Sequence, residues 1–302
     1  ELEEVMVVAY GTAKKSAFTG SASTMKAEKI AERQVANVTN ALAGQVAGVQ
    51  GVSANGQPGK AATIRIRGIG SMSSSSSPLY VVDGVPYDGD IAAINPNDIE
   101  SMSVLKDASA SAIYGARGAN GVVLITTKRG EKGKVKINVK TGFSWNTPVK
   151  VPEYANAYDW ASLANEALEG RYESPLYTSE EMNIIRYGLD SDLYPNVDWR
   201  DLMLKSGAPS YYANINFSGG SDNVRYFVSG QYTSEDGRYR TSSSENKYNT
   251  NTTYERWNYR ANVDMNLTRS TILKVSVGGW LVNRNSPQSD ADDIWKSFAY
   301  YT

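Results

Sequence analysis

Most enzyme chemistry needs residue types that this sequence lacks. Its 302 residues include no histidine and no cysteine. That removes Ser-His-Asp and Cys-His nucleophile pairs and every Cys/His zinc site. Carboxylates, Lys and Tyr remain. Asp83, Asp88 and Asp90 form one carboxylate group, but Asp83-Gly84 and Asp88-Gly89 are turn dipeptides first. Asp290, Asp292 and Asp293 offer oxygens suited to Ca²⁺, without the spacing of an EF-hand, and read better as a solvated loop. Gly115, Gly118 and Gly121 match neither a Walker loop nor a dinucleotide fingerprint, and no Gly-Lys-Ser/Thr follows them. No enzymatic activity, cofactor or metal is therefore expected.

Charge and composition narrow the class further. With 31 basic and 32 acidic residues the formal net charge is −1, so no basic excess points to nucleic acid. No apolar run approaches the roughly 18 residues that a membrane helix needs. The acidic start has no basic n-region, which reads as an internal or processed beginning rather than a signal peptide. Tyr is abundant at 20, beside 6 Trp and only 5 Phe. Tyr and Trp pair an apolar body with a polar tip, as membrane–water interfaces favour. A soluble β-protein is an equally good reading of composition alone.

The elements that would position any site change character near Gly133. Before it, short helical and strand patterns alternate among small residues. Leu2 to Tyr10 is apolar and β-prone after Glu3 and Glu4, and residues 12–33 read as irregular. Val38 to Ala47 reads as a helix with Val38, Leu42 and Val46 on one face and Gly48 as its cap. Ala62 to Gly68, Leu79 to Val85, Ile99 to Leu105 and Val122 to Thr127 read as strands, and Ala108 to Tyr114 as a short helix. Five consecutive serines, Ser73 to Ser77, read as a flexible loop.

After Gly133 come longer amphipathic strands. Val135, Ile137, Val139, Phe143 and Trp145 share one face of the first. Trp257, Tyr259, Ala261, Val263, Met265 and Leu267 oppose Asn258, Arg260, Asn262, Asp264 and Asn266 in the cleanest. Strands are also expected over Tyr211 to Ser218, Val224 to Thr233 and Leu273 to Leu281, with Phe227 breaking the alternation. Such lengths suit a tilted strand crossing a bilayer better than an ordinary sandwich strand. Trp145, Tyr211, Tyr232 and Trp257 sit at strand ends, as interface girdles do. Short connections (Gly219 to Asn223, Thr268 to Thr271) alternate with long ones (146–209, 234–256). The long ones are expected outside the cell, with helices near Ala155 to Leu168, Ser179 to Tyr187 and Asp198 to Lys205. Five strands cannot close a barrel, and an open edge would leave backbone groups unpaired in lipid, so the chain reads as part of a longer protein.

Several long strings resemble one family. They are EEVMVVAYGT (Glu3 to Thr12), ANVTNALAGQVAGV (Ala36 to Val49), IRIRG (Ile64 to Gly68), PLYVVDGVPYDG (Pro78 to Gly89), INPNDIESMSVLKDASASAIYGARGANGVVLITTKRG (Ile94 to Gly130) and DLYPNVDWRD (Asp192 to Asp201). In these the chain resembles the SusC/RagA-like TonB-dependent transporters of Bacteroidetes outer membranes. The resemblance implies a mostly β fold: an α/β plug domain inside a barrel of about 22 antiparallel transmembrane strands, of which about five are present. The expected division is 1–12 for the Ton box and N-terminal segment, 13–132 for the plug, and 133–302 for barrel strands with extracellular loops.

The resemblance also implies partners and site residues. Glu3, Glu4, Val5, Met6, Val7, Val8, Ala9 and Tyr10 match the Ton box that the TonB protein pulls from the periplasm, with Ala9 where the family often has Gly. An extended apolar stretch can add as a strand to a partner's sheet; an ordinary buried edge strand is the competing reading. Ser71, Met72, Ser73, Ser74, Ser75, Ser76 and Ser77 occupy a plug loop that faces substrate in the family. A SusD-like surface lipoprotein as lid, a glycan or peptide substrate, an outer-membrane location and a dimer of transporter–lid pairs are also implied. Arg65, Arg67 and Arg117 are expected at the plug–barrel interface. A surface binding protein that does not span the membrane remains as another class; it would bury its apolar strand faces in a sandwich.

Overall fold

A computed structural model describes residues 5–8, 11–14, 22–32, 37–52, 56–66, 68, 76–91, 94–106, 112–149, 151–241 and 247–300. The chain divides into two compact units. The first comprises residues 1–144, 210–235 and 254–283; the second comprises 145–209, 236–253 and 284–302.

The first unit opens with β1 (Val5–Val8) and β2 (Gly11–Lys14), an antiparallel hairpin that pairs Val5 with Lys14 and Val8 with Gly11. Next come β3 (Ala22–Lys26), α1 (Ala27–Glu32) and α2 (Val38–Leu42), so residues 22–32, expected to be irregular, form a strand and a helix. Helix α2 stops at Leu42, short of Gly48. The Ala43 backbone (ψ 121°) leaves the helical region, and Val46 and Val49 then turn into the same core as Val38 and Leu42. Strands β4 (Val49–Val52) and β5 (Thr63–Ile66) pair antiparallel.

A five-stranded sheet follows, with β6 (Leu79–Val82), β7 (Val85–Tyr87), β8 (Ile99–Leu105) and β9 (Val122–Thr127) in the order β3-β8-β9-β6-β7. Only β6 and β9 run parallel among the pairs described. Strand β9 is a run of mostly β-branched residues, VVLITT, as suits a strand covered on both faces. Val104, Val123 and Ile125 join the core formed by α1, α2, β4 and β5, while Val122 and Leu124 pack with Leu79, Val81 and Leu105 on the other side. The turn at Asp83 (φ 50°) and Gly84 (φ 87°) has the left-handed backbone that a tight Asp-Gly hairpin requires.

The second sheet of this unit is a meander of β10 (Gly133–Asn146), β11 (Ala208–Gly220), β12 (Val224–Asp236), β13 (Thr253–Asn266) and β14 (Ile272–Asn285), each beside its sequence neighbour. The strands run 13 or 14 residues, long enough to cross a bilayer at a tilt. This fold is mostly β, with plug-type and barrel-type strands, as expected from sequence.

The second unit carries α3 (Ala157–Glu169), α4 (Ser179–Tyr187), α5 (Trp199–Met203) and α6 (Ala291–Tyr300). Its apolar cluster is Leu204, Tyr239 and Phe298, flanked by Tyr154, Trp199, Ile294 and Trp295. Helix α4 starts with a capping box: Glu181 N–H donates to the Thr178 hydroxyl oxygen and the Thr178 N–H donates to the Glu181 carboxylate at 2.8 Å. In the DLYPNVDWRD motif, Asp198 caps α5 and accepts two bonds from the Arg200 guanidinium, which also donates to the Pro152 carbonyl at 3.1 Å. Those Arg200 bonds, above all, hold the Asp198 carboxyl down at about 2. The motif therefore works as a clamp within its own unit. Asp292 and Asp293 begin α6 instead of forming a loop.

Candidate functional site: the face between plug and strand wall

The wall strands alternate with period two, and the face that becomes buried is the polar one. Asn214, Asn216, Ser229, Gln231, Thr233, Arg256, Asn262 and Asp264 are all buried, Arg256 completely at 0% exposure. On the opposite face Val139 is 66% exposed and Trp257 58%, and Val228 and Ile215 are exposed even in the middle of the sheet. Soluble sheets bury the apolar face; the reverse fits a sheet whose outward solvent is lipid. Along the outward face Tyr232 stacks on Tyr211 and Trp257, with ring centroids 5.9 and 4.4 Å apart. Phe227 breaks the sequence alternation because it points inward, where it is buried.

Three plug segments meet this polar face. In the first, the Gly59 N–H donates to the Glu235 carboxylate at 2.7 Å. Gly59 has φ 72°, and any Cβ there would run into the Tyr254 ring. The Arg256 guanidinium donates to the Asn37 side-chain oxygen at 3.1 Å, and the Asn37 amide donates to the Lys60 carbonyl at 3.0 Å.

In the second segment, the Asn97 amide donates to the Gln231 side-chain oxygen at 2.8 Å. Arg260 Nε lies 3.8 Å from the buried Asp98 carboxylate. Burial pushes the Asp98 carboxyl above its usual range, against the pull of Ser229, Arg260 and Lys128. A short 3₁₀ turn over Pro96–Asp98, capped by the Asn95 side chain, places both residues.

The third segment is the end of β9. Asp83 reaches across from its turn and accepts bonds from the Thr127 N–H (2.9 Å) and hydroxyl (2.6 Å). The Asn262 amide donates to the Thr127 hydroxyl and the Lys128 carbonyl, at 2.9 and 2.7 Å. Arg129 bridges to Asp264 at 2.5 Å and Ser276 at 3.2 Å on the wall, with Asp83 3.9 Å away. Two cavities adjoin this point. One, of about 430 Å³, runs along Tyr87, Asp98, Arg260 and Trp280; the other, of about 300 Å³, runs along Lys128, Lys136 and Lys140, and Arg129 lines both.

Of the arginines expected at the interface, Arg117 pairs with Asp88 inside the plug, Arg65 sits on β5 opposite Gln50, and Arg67 lies outside the described residues. Among the described residues the arginines that join plug and wall are Arg129, Arg256 and Arg260, two of them from the wall. Long amphipathic strands carrying Arg256, Arg260 and Asp264 on the polar face were the available signal. Nothing local marks Asn37 or Gly59.

Of the expected Ton box, Glu3, Glu4, Ala9 and Tyr10 lie outside the described residues. Val5, Met6, Val7 and Val8 form β1, one edge of which is taken by β2. In the serine loop, Ser71, Met72, Ser73, Ser74 and Ser75 lie outside the described residues, whereas Ser76 and Ser77 lead into β6. Among the described residues no group of three or more Asp or Glu is placed to hold a metal.

Comparison with known proteins accounts for this architecture. Residues 14–122 match the TonB-dependent Receptor Plug Domain. The chain is 38% identical over 274 residues to TonB-dependent receptor P26 of Formosa agariphila and 33% identical over 251 residues to TonB-dependent receptor SusC of Bacteroides thetaiotaomicron. The RagAB peptide importer in its open-open state superposes with a TM-score of 0.75 at 31% identity over 94% of this chain. The chain belongs to the SusC/RagA-like TonB-dependent receptors. It spans 25% of P26, 23% of SusC and 33% of the RagAB chain, covering 88%, 80% and 94% of itself respectively. In this SusC/RagA-like chain, then, the polar face between plug and wall is the lumen side of barrel strands.

Proposed function

We propose that the protein of which this chain is part imports a nutrient across a Bacteroidetes outer membrane, powered through TonB, with a SusD-like surface lipoprotein as lid. The single observation that carries this is the inverted wall: buried polar residues hold a plug while the apolar face looks outward. A surface binding protein would bury those apolar faces instead. The proposed division is Ton box and N-terminal segment 1–12, plug 13–132 and barrel strands from 133 onward. Glu3 to Tyr10 act as the Ton box, and Ser71 to Ser77 as a substrate-facing loop. An oligosaccharide is the first cargo to test. A peptide is the second, because the solved relative RagAB is named a peptide importer.

Deleting Glu3 to Tyr10 from the full-length transporter is expected to abolish uptake and leave substrate binding intact. Val5 to Val8 pair with β2, outside the five-stranded plug sheet. Uptake that persists in a strain with no other transporter for that cargo would overturn the coupling role.

A further inference from the structure

Asp98 is a plug carboxylate that docking leaves short of partners. It is 2% exposed, under β12 and β13. Both strands lie inside the wall, with a neighbour on either side. The cover over Asp98 therefore does not depend on the wall's edges, and further strands beyond β10 or β14 can only add to it. The cation that reaches it from the wall is Arg260, whose Nε stands 3.8 Å from Oδ2, outside hydrogen-bond reach. Asp98 Oδ1 makes no hydrogen bond of good geometry. Nor do the Ser229 hydroxyl on β12 and the Asn95 amide nitrogen, although both side chains turn toward the carboxylate. Ser229 and Asn95 are themselves buried.

The two protonation states of Asp98 differ in what they ask of this place. The carboxylate offers acceptors only. It is held out of water with one oxygen unbonded, which disfavours the charged form. The neutral acid gains an O–H donor, and the Ser229 hydroxyl oxygen beside it can accept. Burial is the largest influence on the group and raises its pKa, against the pull of Ser229, Arg260, Lys128 and Asn95. The other charged or titratable groups come from several elements. Lys128 and Arg129 follow β9, Asp83 and Tyr87 belong to the β6–β7 hairpin, Arg260 stands on β13 and Lys274 on β14. Three of these are engaged elsewhere: Lys128 donates to the Asn97 carbonyl at 2.8 Å, Arg129 bonds Asp264, and Asp83 accepts from Thr127.

Asp98 also sits where two docking segments meet. Its own turn presents Asn97 to Gln231 on the wall. Its backbone carbonyl accepts from the Lys128 N–H at 2.8 Å, and the Lys128 carbonyl accepts from Asn262 on the wall. A charge that fits poorly here acts on both segments.

We propose that Asp98 makes docking of the plug tighter in mild acid: the neutral acid seats the plug on the wall, and the carboxylate loosens it for displacement. This goes beyond the importer reading and needs only the plug and the wall. Arg260 is a positioning residue, because its guanidinium favours the carboxylate form.

The test is hydrogen exchange of the full-length protein in phosphatidylcholine vesicles, at about pH 4.5 and about pH 7.5. It is read over Ile94 to Leu105 and corrected for the intrinsic pH dependence of amide exchange. Protection is expected to be at least about 3-fold greater at the lower pH, a pKa difference of one unit being worth about 10-fold. D98N is expected to be as protected at the higher pH as the parent is at the lower, with no pH dependence left. R260Q keeps Asp98 and removes the wall cation, so its transition is expected at higher pH than the parent's. Equal parental protection at both pH values would overturn the proposal, as would a D98N protein that keeps the whole dependence. D98N less protected than the parent at the higher pH would also overturn it, by showing that the Asp98–Arg260 pair holds the plug. Should D98N fail to insert, R260Q decides: an unmoved transition contradicts the proposal. Each of these failures leaves import standing, and uptake that survives Ton box deletion would leave the exchange result intact.

Discussion

In the plug sheet the buried residues include Val104, Val123 and Ile125; in the strand wall they include Asn214, Gln231 and Asn262. Both sheets belong to one compact unit and both have five strands. Their difference lies in what each covers. The plug sheet is sandwiched between helices and hairpins and buries apolar area, which stabilises by about 25 cal/mol per Å². The wall covers the plug with polar side chains and leaves its apolar side outward, where water-driven burial supplies nothing and lipid must take its place. A buried polar face is tolerable only when its groups find partners, and Arg129, Arg256, Asn262 and Gln231 do so at the plug.

The sharpest way to break this comparison is one charge in each sheet. Val123→Asp is expected to cost the plug about 4 kcal/mol or more, because an unpaired carboxylate enters a packed apolar core. The barrel should still insert, seen as a heat-modifiable band on a gel, while the plug becomes open to protease. Val228→Lys, on the outward face, is expected to cost about 2–4 kcal/mol near the bilayer midplane and less toward its edges, read by urea titration in lipid vesicles. A Val228→Lys variant as stable as the parent would mean that this face meets water.

Next in size is the polar interface. Arg256→Met keeps bulk and removes the donor to Asn37. A loss of about 1.5–3 kcal/mol in plug retention is expected, measured as faster proteolysis in the 37–60 region with barrel stability unchanged. The smallest effect concerns pH. Burial raises the folded-state pKa of Asp98 above its usual value of 3.8. The folded protein therefore binds more protons than the unfolded one between that value and the raised one. Stability falls as pH rises through this window and is greatest below it. Asp98→Asn is expected to flatten that dependence, seen in melting temperature against pH.

Legibility in the sequence followed the strength of local pattern. Trp257 to Leu267 displayed its two faces plainly, and the helix expected near Ser179 to Tyr187 forms there as α4. Strand β3, Ala-Ser-Thr-Met-Lys, did not, because its small polar residues gain strand structure from pairing with β8. Asp83 was readable as a turn residue, since Asp-Gly needs only local backbone. Its second task, accepting two bonds from Thr127, depends on a residue 44 positions away. Gly59 and Glu235 are farther still, 176 positions apart. Phe227 looked like an error in alternation and is instead a plug-facing side chain. The resemblance carried the family; the interface itself emerged only in three dimensions.

The central claim is that the wall is inside out, and one fluorescence measurement tests it. These 302 residues contain no cysteine; in the full-length protein, with any cysteine outside them replaced, single cysteines at the neighbours Val228 and Ser229 can carry bimane. In vesicles with nitroxide-labelled lipid, the label at 228 should be strongly quenched and the label at 229 little affected. Quenching at 229, or equal quenching at both, would contradict the account.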